Sequence, residues 1–484
     1  MIPTKTYMDR YLFGLVFTAI MLFAVFMSTY KLTESPPIWM DEGMIVQTSK
    51  NFVEDGIYAV NVGPRQYISP SFISTSYPVT LPIVLSFKLF GVGLLQARAV
   101  MVIFMLAFLV ALFILGKKVF ENKWLALASL ALIVSFPPLY GNGKNVLGEV
   151  PGLFFLFVFL ILIHNIWKGD RRPGPYAVAG LFLGLAIATK PIFILLVPAV
   201  VAVFGYALIR RRETFGDKRA VSILSLVVCT ILPLITWVYI QFSGDSLSAI
   251  FAYYANPHKV NIAISLLDNI QAFFVSPQGL YFFFFLIVWI IGFVIRAKKK
   301  IPMSPSEWVA LIFSLMIFVA YFRNPGYYRY FFLAEVFAIF FFAYSLRQLV
   351  VKWKWIVGTA VVLIIICQSY QLFFTSWVSK YYGSTKTRDC NIAISSIAPQ
   401  LSIFFYQVPE LVIFRKGSNY YQYMDSVETD ATRLEKISVL KSGIPDVVVV
   451  SGETIPVLGE VLEKYEISNA CERYRILERK AINI

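Results

Sequence analysis

Two adjacent carboxylates, Asp41 and Glu42, lie in the stretch PPIWMDEGMI at residues 36–45. A helix-like run, GMIVQTSKNFVEDG, follows them directly. Acidic residues at a helix N-terminus can simply favour the helix dipole and cap free N–H groups, which contributes about 0.3–1 kcal/mol. Alternatively, one carboxylate acts as a general base that accepts a proton from a hydroxyl group. The residues of this stretch by themselves allow both interpretations.

Other ionisable side chains lie at the ends of apolar segments. Glu149 begins the segment EVPGLFF, and Lys190 lies in the short connection IATKPIF. Charged side chains at such ends can extend to lipid headgroups, but so short a connection keeps the Lys190 ammonium close to the apolar boundary. Together with the acidic pair, these residues predict a basic, partly dehydrated cavity that also contains carboxylates. The other basic residues of this group are Arg98, Lys144, Arg323 and Arg329.

Such a cavity suits one class of reaction. When a sugar leaves a polyprenyl phosphate, negative charge develops on the phosphate, and nearby cations stabilise that charge. A carboxylate on the other side of the sugar can take the proton of the attacking hydroxyl. The sequence contains no P-loop, dinucleotide fingerprint or nucleophile elbow. Neither a nucleotide nor ATP is therefore expected to take part.

The elements that must position these residues are membrane-spanning helices. The chain has 484 residues, of which 58% are hydrophobic and 15% are charged, a composition that predicts a multi-pass membrane protein. Segment 11–30 has 20 uncharged residues, enough to cross about 30 Å of hydrocarbon, and is expected to be an uncleaved signal anchor. Ten further spans are predicted near residues 94–116, 124–140, 150–167, 176–189, 191–208, 221–240, 279–295, 307–322, 331–347 and 355–374.

Lysine and arginine clusters mark the cytoplasmic ends of spans. With 11 spans every cluster falls on one side, which predicts a cytoplasmic N-terminus, an external C-terminus and location in the plasma (inner) membrane. The formal charge of +15 is then mostly a topology signal, with anionic lipids as partners and no role for nucleic acid. Residues 78–90 are too short to span, so they are expected to lie along the outer surface within a long external loop, residues 31–93.

Beyond residue 374 the composition changes to mixed charges and short apolar runs. Strands are predicted at 446–450 and 474–479 and a helix at 432–443. The predicted fold class is therefore an all-α polytopic membrane domain, residues 1–374, followed by a small extracytoplasmic α/β domain, residues 375–484. Three tyrosines of that domain could form a sugar-stacking platform, although exposed tyrosines in a strand or loop explain them equally well; they are Tyr420, Tyr421 and Tyr423.

Cysteines and histidines do little to identify the chemistry. Cys390 and Cys471 both fall in the external domain, where a disulfide is permitted if the space is oxidising. Cys229 and Cys367 fall in predicted spans and are expected in the core. His164 and His258, the two histidines, lie far apart and match no metal-ligand spacing.

The order of these motifs resembles that of the C-type glycosyltransferases, in particular the protein O-mannosyltransferase-like branch that includes the lipid A aminoarabinose transferases. MDEGMIVQTSKNFVEDGIY resembles the opening acidic motif of that family, and YPVTLPIVLSFKLFGVGLLQAR its juxtamembrane segment. NVLGEVPGLFF is similar to the acidic-X-Pro start of the fourth span, GLFLGLAIATKPIFILL to the lysine hairpin and GYYRYFF to the Arg-Tyr element. The likeness covers roughly residues 1–350.

The resemblance implies an inverting integral-membrane glycosyltransferase that uses a polyprenyl-phosphate sugar donor and a hydroxyl acceptor of unknown class. Asp41 would be the catalytic base, and Glu42 would orient the acceptor or the base. Lys190 and Arg329 would contact the lipid phosphate, and Glu149 would line the cavity. Members of this branch need no bound metal for the chemistry, so neither a metal nor another cofactor is expected.

Five further residues complete the site that the resemblance implies. Arg98 and Lys144 would also bind the donor phosphate, although Lys144 stands where the family often has an arginine, and a lysine cannot make the bidentate contact of that arginine. Tyr77, Tyr328 and Tyr330 would line the cavity.

Two other classes of protein compete with the transferase. A transporter or flippase of lipid-linked sugars is expected to have repeats and ionisable residues in the middle of its spans, whereas here the ionisable residues lie at span ends. A noncatalytic scaffold or receptor would bind through the external domain, but it would leave the acidic pair and the lysine hairpin without a function.

Overall fold

The structure of the chain is a computed structural model. It describes residues 4–170, 172–210, 219–242, 248, 261–323, 328–350, 353–424, 436, 438–440, 444–454 and 463–480. The helices are α1 (Thr4–Thr29), α2 (Met40–Glu54), α3 (Tyr77–Phe90), α4 (Leu94–Phe120), α5 (Lys123–Val134), α6 (Pro137–Lys144), α7 (Glu149–Trp167), α8 (Pro173–Thr189), α9 (Leu196–Arg210), α10 (Arg219–Gln241), α11 (Ile262–Val275), α12 (Pro277–Lys298), α13 (Pro305–Arg323), α14 (Phe332–Leu349), α15 (Lys354–Tyr370) and α16 (Lys386–Ser395).

The apolar spans agree closely with the prediction. Among the described residues, nine helices are long and apolar enough to cross a membrane, or ten if α5 and α6 form one span. These two helices meet at an angle of 65°, because Pro137 and Pro138 cannot donate the backbone hydrogen bonds that would continue α5. The remaining predicted span, 176–189, corresponds to α8, which has only 17 residues.

The central helix of the bundle is α14, whose side chains are largely buried. Its aromatic rings pack against neighbouring spans on several sides. Phe337 stacks on Phe157 of α7 with ring centroids 5.1 Å apart, and Phe341 stacks on Trp289 of α12 at 4.7 Å. Such offset aromatic contacts suit a lipid environment, where helix association depends on close packing and not on the removal of apolar surface from water.

The segment between α1 and α4 contains the surface helix expected at 78–90, which is α3. This helix begins with a proline in its first turn and ends at Gly91, whose positive φ of 86° favours glycine. The segment also contains α2 and an antiparallel pair of short strands, β1 (Val60–Gly63) and β2 (Gln66–Ile68). This strand pair was not predicted, and neither was helix α11.

The C-terminal region contains a five-stranded mixed sheet in the order β4-β3-β5-β7-β6. Its strands are β3 (Ile403–Tyr406), β4 (Tyr420–Tyr423), β5 (Val447–Ser451), β6 (Tyr465–Cys471) and β7 (Tyr474–Arg479). The first three pair in parallel, and β7 pairs antiparallel with β5 and β6. The two strands predicted here are thus confirmed, whereas the helix predicted at 432–443 lies largely outside the described residues.

The sheet corrects the idea of an exposed tyrosine platform. Tyr420 and Tyr423 are 0% and 2% exposed, and Tyr421, partly buried, stacks on Phe404. The reason is that β4 runs parallel to β3, and parallel strands are normally covered on both faces. These tyrosines therefore belong to the packing of the sheet.

The cysteines and histidines occupy varied environments. Cys390 of α16 and Cys471 of β6 form a disulfide with their Cα atoms 5.0 Å apart. Cys229 is half-buried and Cys367 is exposed on α15, so the expectation of two core cysteines was wrong for Cys367. His164 forms a hydrogen bond with the Ser304 hydroxyl at 2.9 Å, and His258 lies outside the described residues.

Candidate functional site

The two adjacent carboxylates lie in the first turn of α2 and point into different surroundings. The side chain of Asp41 is 24% exposed, whereas that of Glu42 is completely buried. Successive residues of an α-helix are rotated by about 100°, so two neighbours cannot share one environment. Each carboxylate therefore has its own partner.

Glu42 is held by Arg98 of α4. Nε and Nη2 of Arg98 donate to the two carboxylate oxygens of Glu42 at 2.8 and 2.6 Å. Nη1 of Arg98 donates to the carbonyl oxygens of Leu32 and Pro36, and the Val146 amide donates to Glu42. Arg98 is 0% exposed. The Arg98 guanidinium is thus paired with Glu42 and two backbone carbonyls, and the phosphate contact expected of Arg98 stays a prediction.

Asp41 pairs with Arg329. The distance from Nη1 of Arg329 to Oδ2 of Asp41 is 2.9 Å, and both side chains are 24% exposed. The Arg329 guanidinium lies 4.6 Å from the ring centroid of Trp39 and 5.4 Å from that of Tyr330. Aromatic faces attract a cation by about 0.5–2 kcal/mol, so the two rings help to hold Arg329 beside the carboxylate while both remain accessible.

Lys190 pairs with Glu149. Its Nζ lies 2.5 Å from Oε1 of Glu149, and the two side chains are 7% and 3% exposed. Glu149 is the first residue of α7, where a negative charge interacts favourably with the helix dipole. Lys190 is in extended conformation immediately after α8 and immediately before a short 3₁₀ helix. The lysine connection thus brings its ammonium to the start of α7.

Close packing fixes the connection that carries Lys190. The Ser76 amide donates to the Thr189 carbonyl at 3.2 Å. At Gly148, an added Cβ would lie 3.0 Å from the Thr189 oxygen and 3.1 Å from both Cβ of Lys190 and Oγ1 of Thr75. A larger residue at position 148 would therefore displace the lysine.

The two ion pairs belong to one cluster. Arg329 interacts electrostatically with Glu149 as well as with Asp41, and Tyr330 interacts with all three. We call Asp41, Arg329, Glu149 and Lys190 the four-charge cluster. Two of its members are negative and two positive. A ligand phosphate could approach the cations, and a proton could be accepted at Asp41, within the same small region.

The other predicted site residues lie around this cluster with contacts of their own. Lys144 is fully buried and donates to the Tyr30 carbonyl at 2.7 Å, and the phosphate contact expected of it stays a prediction. The Tyr77 hydroxyl donates to the Pro233 carbonyl at 3.3 Å, and the Tyr328 hydroxyl donates to the Ala272 carbonyl at 3.2 Å. These two tyrosines therefore join the site region to α10 and α11.

Comparison with solved structures defines the fold class. ArnT from Cupriavidus metallidurans, solved bound to undecaprenyl phosphate, has a TM-score of 0.66 and 15% identity over 97% of this chain and 98% of that chain. AglB, the oligosaccharyltransferase of Archaeoglobus fulgidus, was solved with an inhibitory peptide and a dolichol-phosphate. Its TM-score is 0.57 and its identity is 13%, over 94% of this chain and 72% of that chain. The mycobacterial arabinofuranosyltransferase AftD has a TM-score of 0.60 and 10% identity over 98% of this chain and 40% of that chain.

Sequence comparison points the same way. The family model described as dolichyl-phosphate-mannose-protein mannosyltransferase matches residues 79–237, a segment that includes Glu149 and Lys190. No curated protein matches the chain in sequence. The chain thus has the fold of the C-type membrane glycosyltransferases, and the resemblance found in its motifs is confirmed. Within that fold class it is similar to ArnT along almost its entire length.

Sequence reasoning missed one part of the site. It noted Trp39 only as a flanking residue, although the ring lies against Arg329. Its position two residues before Asp41 was visible, but no periodic pattern connects it with residue 329. The contact depends on how α2 meets the start of the late span.

Proposed function

We propose that this protein is an integral-membrane glycosyltransferase that transfers a sugar from a polyprenyl-phosphate donor to a hydroxyl acceptor. The observation that carries the proposal is the four-charge cluster, in which the 24%-exposed Asp41 carboxylate lies 2.9 Å from the Arg329 guanidinium and Arg329 also interacts with Glu149, the partner of Lys190. A transferase of this kind needs a base and phosphate-binding cations near one another. The fold supports the proposal, because ArnT and AglB were solved with undecaprenyl phosphate and dolichol-phosphate.

The chemistry follows from the charges. The acceptor oxygen attacks the anomeric carbon and its proton passes to Asp41, while the bond between that carbon and the phosphate oxygen breaks. Because the phosphodiester of the donor carries one negative charge and the released monoester carries up to two, the leaving group gains charge as it departs. Arg329 and Lys190 are the cations that stabilise this gain. Attack opposite the leaving group inverts the anomeric centre.

The cluster must open partly for the donor to enter. Each cation is paired with a carboxylate before the donor arrives, so the donor phosphate competes for the same guanidinium and ammonium groups. Binding at Arg329 would release Asp41 from its ion pair at the moment when the carboxylate is needed as a base. Glu149, buried against Lys190, would remain in place as the partner of that ammonium.

The orientation of the molecule belongs to the same proposal. The groups of lysine and arginine lie at the span ends opposite those that carry the four-charge cluster. This distribution favours a cytoplasmic N-terminus and a reaction at the extracytoplasmic face of the plasma membrane. The region 375–484 would then form a small domain outside the membrane. The disulfide between Cys390 and Cys471 supports this placement, because disulfides persist in oxidising compartments.

The proposal is tested with purified protein in liposomes that contain tritiated polyprenyl-phosphate sugars isolated from the native membrane, with a heated and detergent-free extract of the same membrane as the source of acceptors. We expect release of free polyprenyl phosphate together with a new tritiated glycoside. A transporter of lipid-linked sugars would instead move the labelled lipid between leaflets and leave it intact. Movement without cleavage of the sugar–phosphate bond would contradict the proposal.

A further inference from the structure

Helix α2 packs against the C-terminal region at Gly43. This residue is two positions after Asp41 in the same helix. A Cβ added at Gly43 would lie 2.3 Å from Cα and 2.5 Å from the amide nitrogen of Glu410, and 2.8 Å from the carbonyl carbon of Pro409. The contact is between one backbone and another, so rotation of a side chain cannot relieve it. Only glycine permits this approach.

The segment that contacts Gly43 is itself fixed to the sheet. Glu410 lies in a 3₁₀ helix, Pro409–Phe414, which follows β3. Oε1 of Glu410 accepts a hydrogen bond from the Tyr474 hydroxyl at 2.6 Å, and the Arg473 guanidinium lies 3.3 Å away. Arg473 and Tyr474 stand at the turn between β6 and β7, next to the disulfide at Cys471. The position of Glu410 therefore depends on the sheet.

A buried polar network joins the next turns of α2 to the same sheet. The Gln47 amide nitrogen donates to the Tyr420 hydroxyl at 2.7 Å, and that of Gln422 donates to the Gln47 amide oxygen at 3.3 Å. Both glutamines also donate to the carbonyl of Asn61. Gln47, Asn61 and Gln422 are all 0% exposed. Buried amides in such a network have few alternative partners, so the network fixes the register of α2 on β4.

The segment that precedes α2 is also hydrogen-bonded to the C-terminal region. The carboxylate of Glu34 accepts hydrogen bonds from the amides of Thr387 and Arg388, both 3.0 Å long, at the start of α16. The Ser35 hydroxyl donates to the Val378 carbonyl at 2.6 Å. The C-terminal region thus contacts the chain on both sides of the acidic pair.

We infer that the C-terminal region positions Asp41 relative to Arg329, with Gly43 as the positioning residue through which it acts. Arg329 lies at the start of a span and belongs to the membrane bundle. Asp41 extends from α2, which is bound to the bundle through Glu42 and Arg98 and is held on another side by Glu410 and the sheet. The ion pair between them therefore joins two parts of the protein, and its geometry depends on how closely α2 approaches Glu410. This inference rests on the proposed function.

The test is Gly43→Ala, with Gly14→Ala of α1 as the matched control, because a Cβ at position 14 meets nothing within 4 Å. The alanine at position 43 should move the start of α2 away from Glu410, and a displacement of about 1 Å can cost about 100-fold in rate. We expect kcat for transfer from the tritiated native donor to fall about 100-fold, while the affinity for undecaprenyl phosphate stays within threefold. Gly14→Ala should behave like the wild type in both measurements.

Tyr474→Phe provides a second variant if Gly43→Ala does not insert and fold. It removes one hydrogen bond to Glu410 and leaves α2 itself unchanged, and we expect a smaller loss in kcat with unchanged affinity for undecaprenyl phosphate. Wild-type kcat in a folded Gly43→Ala protein, or in folded Tyr474→Phe where Gly43→Ala fails to fold, would overturn the inference. So would parallel losses of kcat and lipid affinity, since these indicate general damage.

The result can be separated from a failure of the proposed function. If Asp41→Asn retained wild-type transfer, Asp41 would not be the base, and the inference that Gly43 acts by positioning Asp41 would fall with it, whatever the rate of Gly43→Ala. If Asp41→Asn lost transfer and Gly43→Ala kept it, the base would stand and the positioning role would fall.

Discussion

At the scale of single residues, the two neighbouring carboxylates differ completely in their surroundings. Glu42 is buried in a bidentate pair with Arg98, whereas Asp41 is partly exposed beside Arg329. Breaking a buried ion pair costs about 3–5 kcal/mol, because the remaining charge is left without a partner. A partly exposed pair contributes about 1 kcal/mol or less.

This difference predicts unequal effects of two similar substitutions. Glu42→Gln should lower the free energy of unfolding by about 3–5 kcal/mol, and Asp41→Asn should change it by about 1 kcal/mol or less. Denaturant unfolding of both variants in detergent measures the effect. Equal losses of stability would contradict the interpretation that Glu42 has a structural role and that Asp41 is free for chemistry.

Lys190 needs a variant that does not leave a buried charge unpaired, because Lys190→Ala alone would isolate Glu149. We expect the double variant Lys190→Met and Glu149→Gln to fold with nearly wild-type stability, since it replaces the pair by neutral groups of similar size. Its affinity for undecaprenyl phosphate should fall at least tenfold, as expected for the loss of a charged contact worth about 1.5–3 kcal/mol. Titration of the labelled lipid measures the affinity, and the double variant Lys168→Met and Glu121→Gln, which neutralises an exposed ion pair in the same way, is the control.

An unchanged lipid affinity in the folded double variant would remove Lys190 from the phosphate site. An affinity lowered to the same extent in the Lys168 and Glu121 control would assign the effect to the general loss of an ion pair. Wild-type affinity in this control with loss in the Lys190 and Glu149 double variant is the result that supports phosphate binding by Lys190.

At the scale of elements, the sequence predicted the long apolar helices well because composition alone identifies them. The short connection at Lys190 and the helix at 78–90 were also predicted. The end of a span and an apolar run too short to cross the membrane can both be recognised from the sequence alone. The sequence could not predict that Asp41 and Glu42 have different partners, because that depends on the rotation of α2 within the fold. The sequence also did not predict that the chain turns by 65° between α5 and α6, although the two prolines at the turn were visible.

The contact between α2 and the C-terminal region was hidden for a related reason. Gly43 offers no local turn signal, and its function becomes visible only when Glu410, more than 360 residues later, lies against it. The buried tyrosines of β4 were similarly ambiguous, since exposed and buried strands can have the same aromatic composition.

Glu410 makes the stability of this contact sensitive to pH. Burial raises the pKa of Glu410, and the hydrogen bond from Tyr474 and the charge of Arg473 oppose that shift. Because the folded protein holds the proton more tightly than the unfolded chain, the stabilisation is fully present below the unfolded pKa of about 4.3 and is lost as the pH rises through the folded pKa. In Glu410→Gln this fall in stability should disappear. Melting temperatures measured across that pH range test the difference, and parallel curves for both proteins would contradict it.

At the scale of the whole molecule, the distribution of basic residues predicts which side the C-terminal region occupies. In a chain with Cys229 and Cys367 replaced by alanine, a cysteine in place of the exposed Ser395 should react with a membrane-impermeant maleimide in intact cells. A cysteine in place of the exposed Lys299 should react only after the membrane is opened. The reverse pattern would contradict the proposed orientation and would place the four-charge cluster at the cytoplasmic face.

The fold as a whole explains why the site lies where it does. The membrane bundle supplies Lys190, Glu149 and Arg329 at the ends of helices, and α2 brings Asp41 to them from the segment outside the spans.

The measurement that most directly tests the proposed role of Asp41 compares Asp41→Asn with the wild type in two assays on the same preparation. We expect the variant to bind undecaprenyl phosphate with an affinity no lower than that of the wild type, because the cations remain and Arg329 is no longer paired with a carboxylate. Its rate of glycosyl transfer from the tritiated native donor should fall by about 10²–10⁴, the usual contribution of a general base. Transfer at the wild-type rate by the folded variant would contradict the central claim.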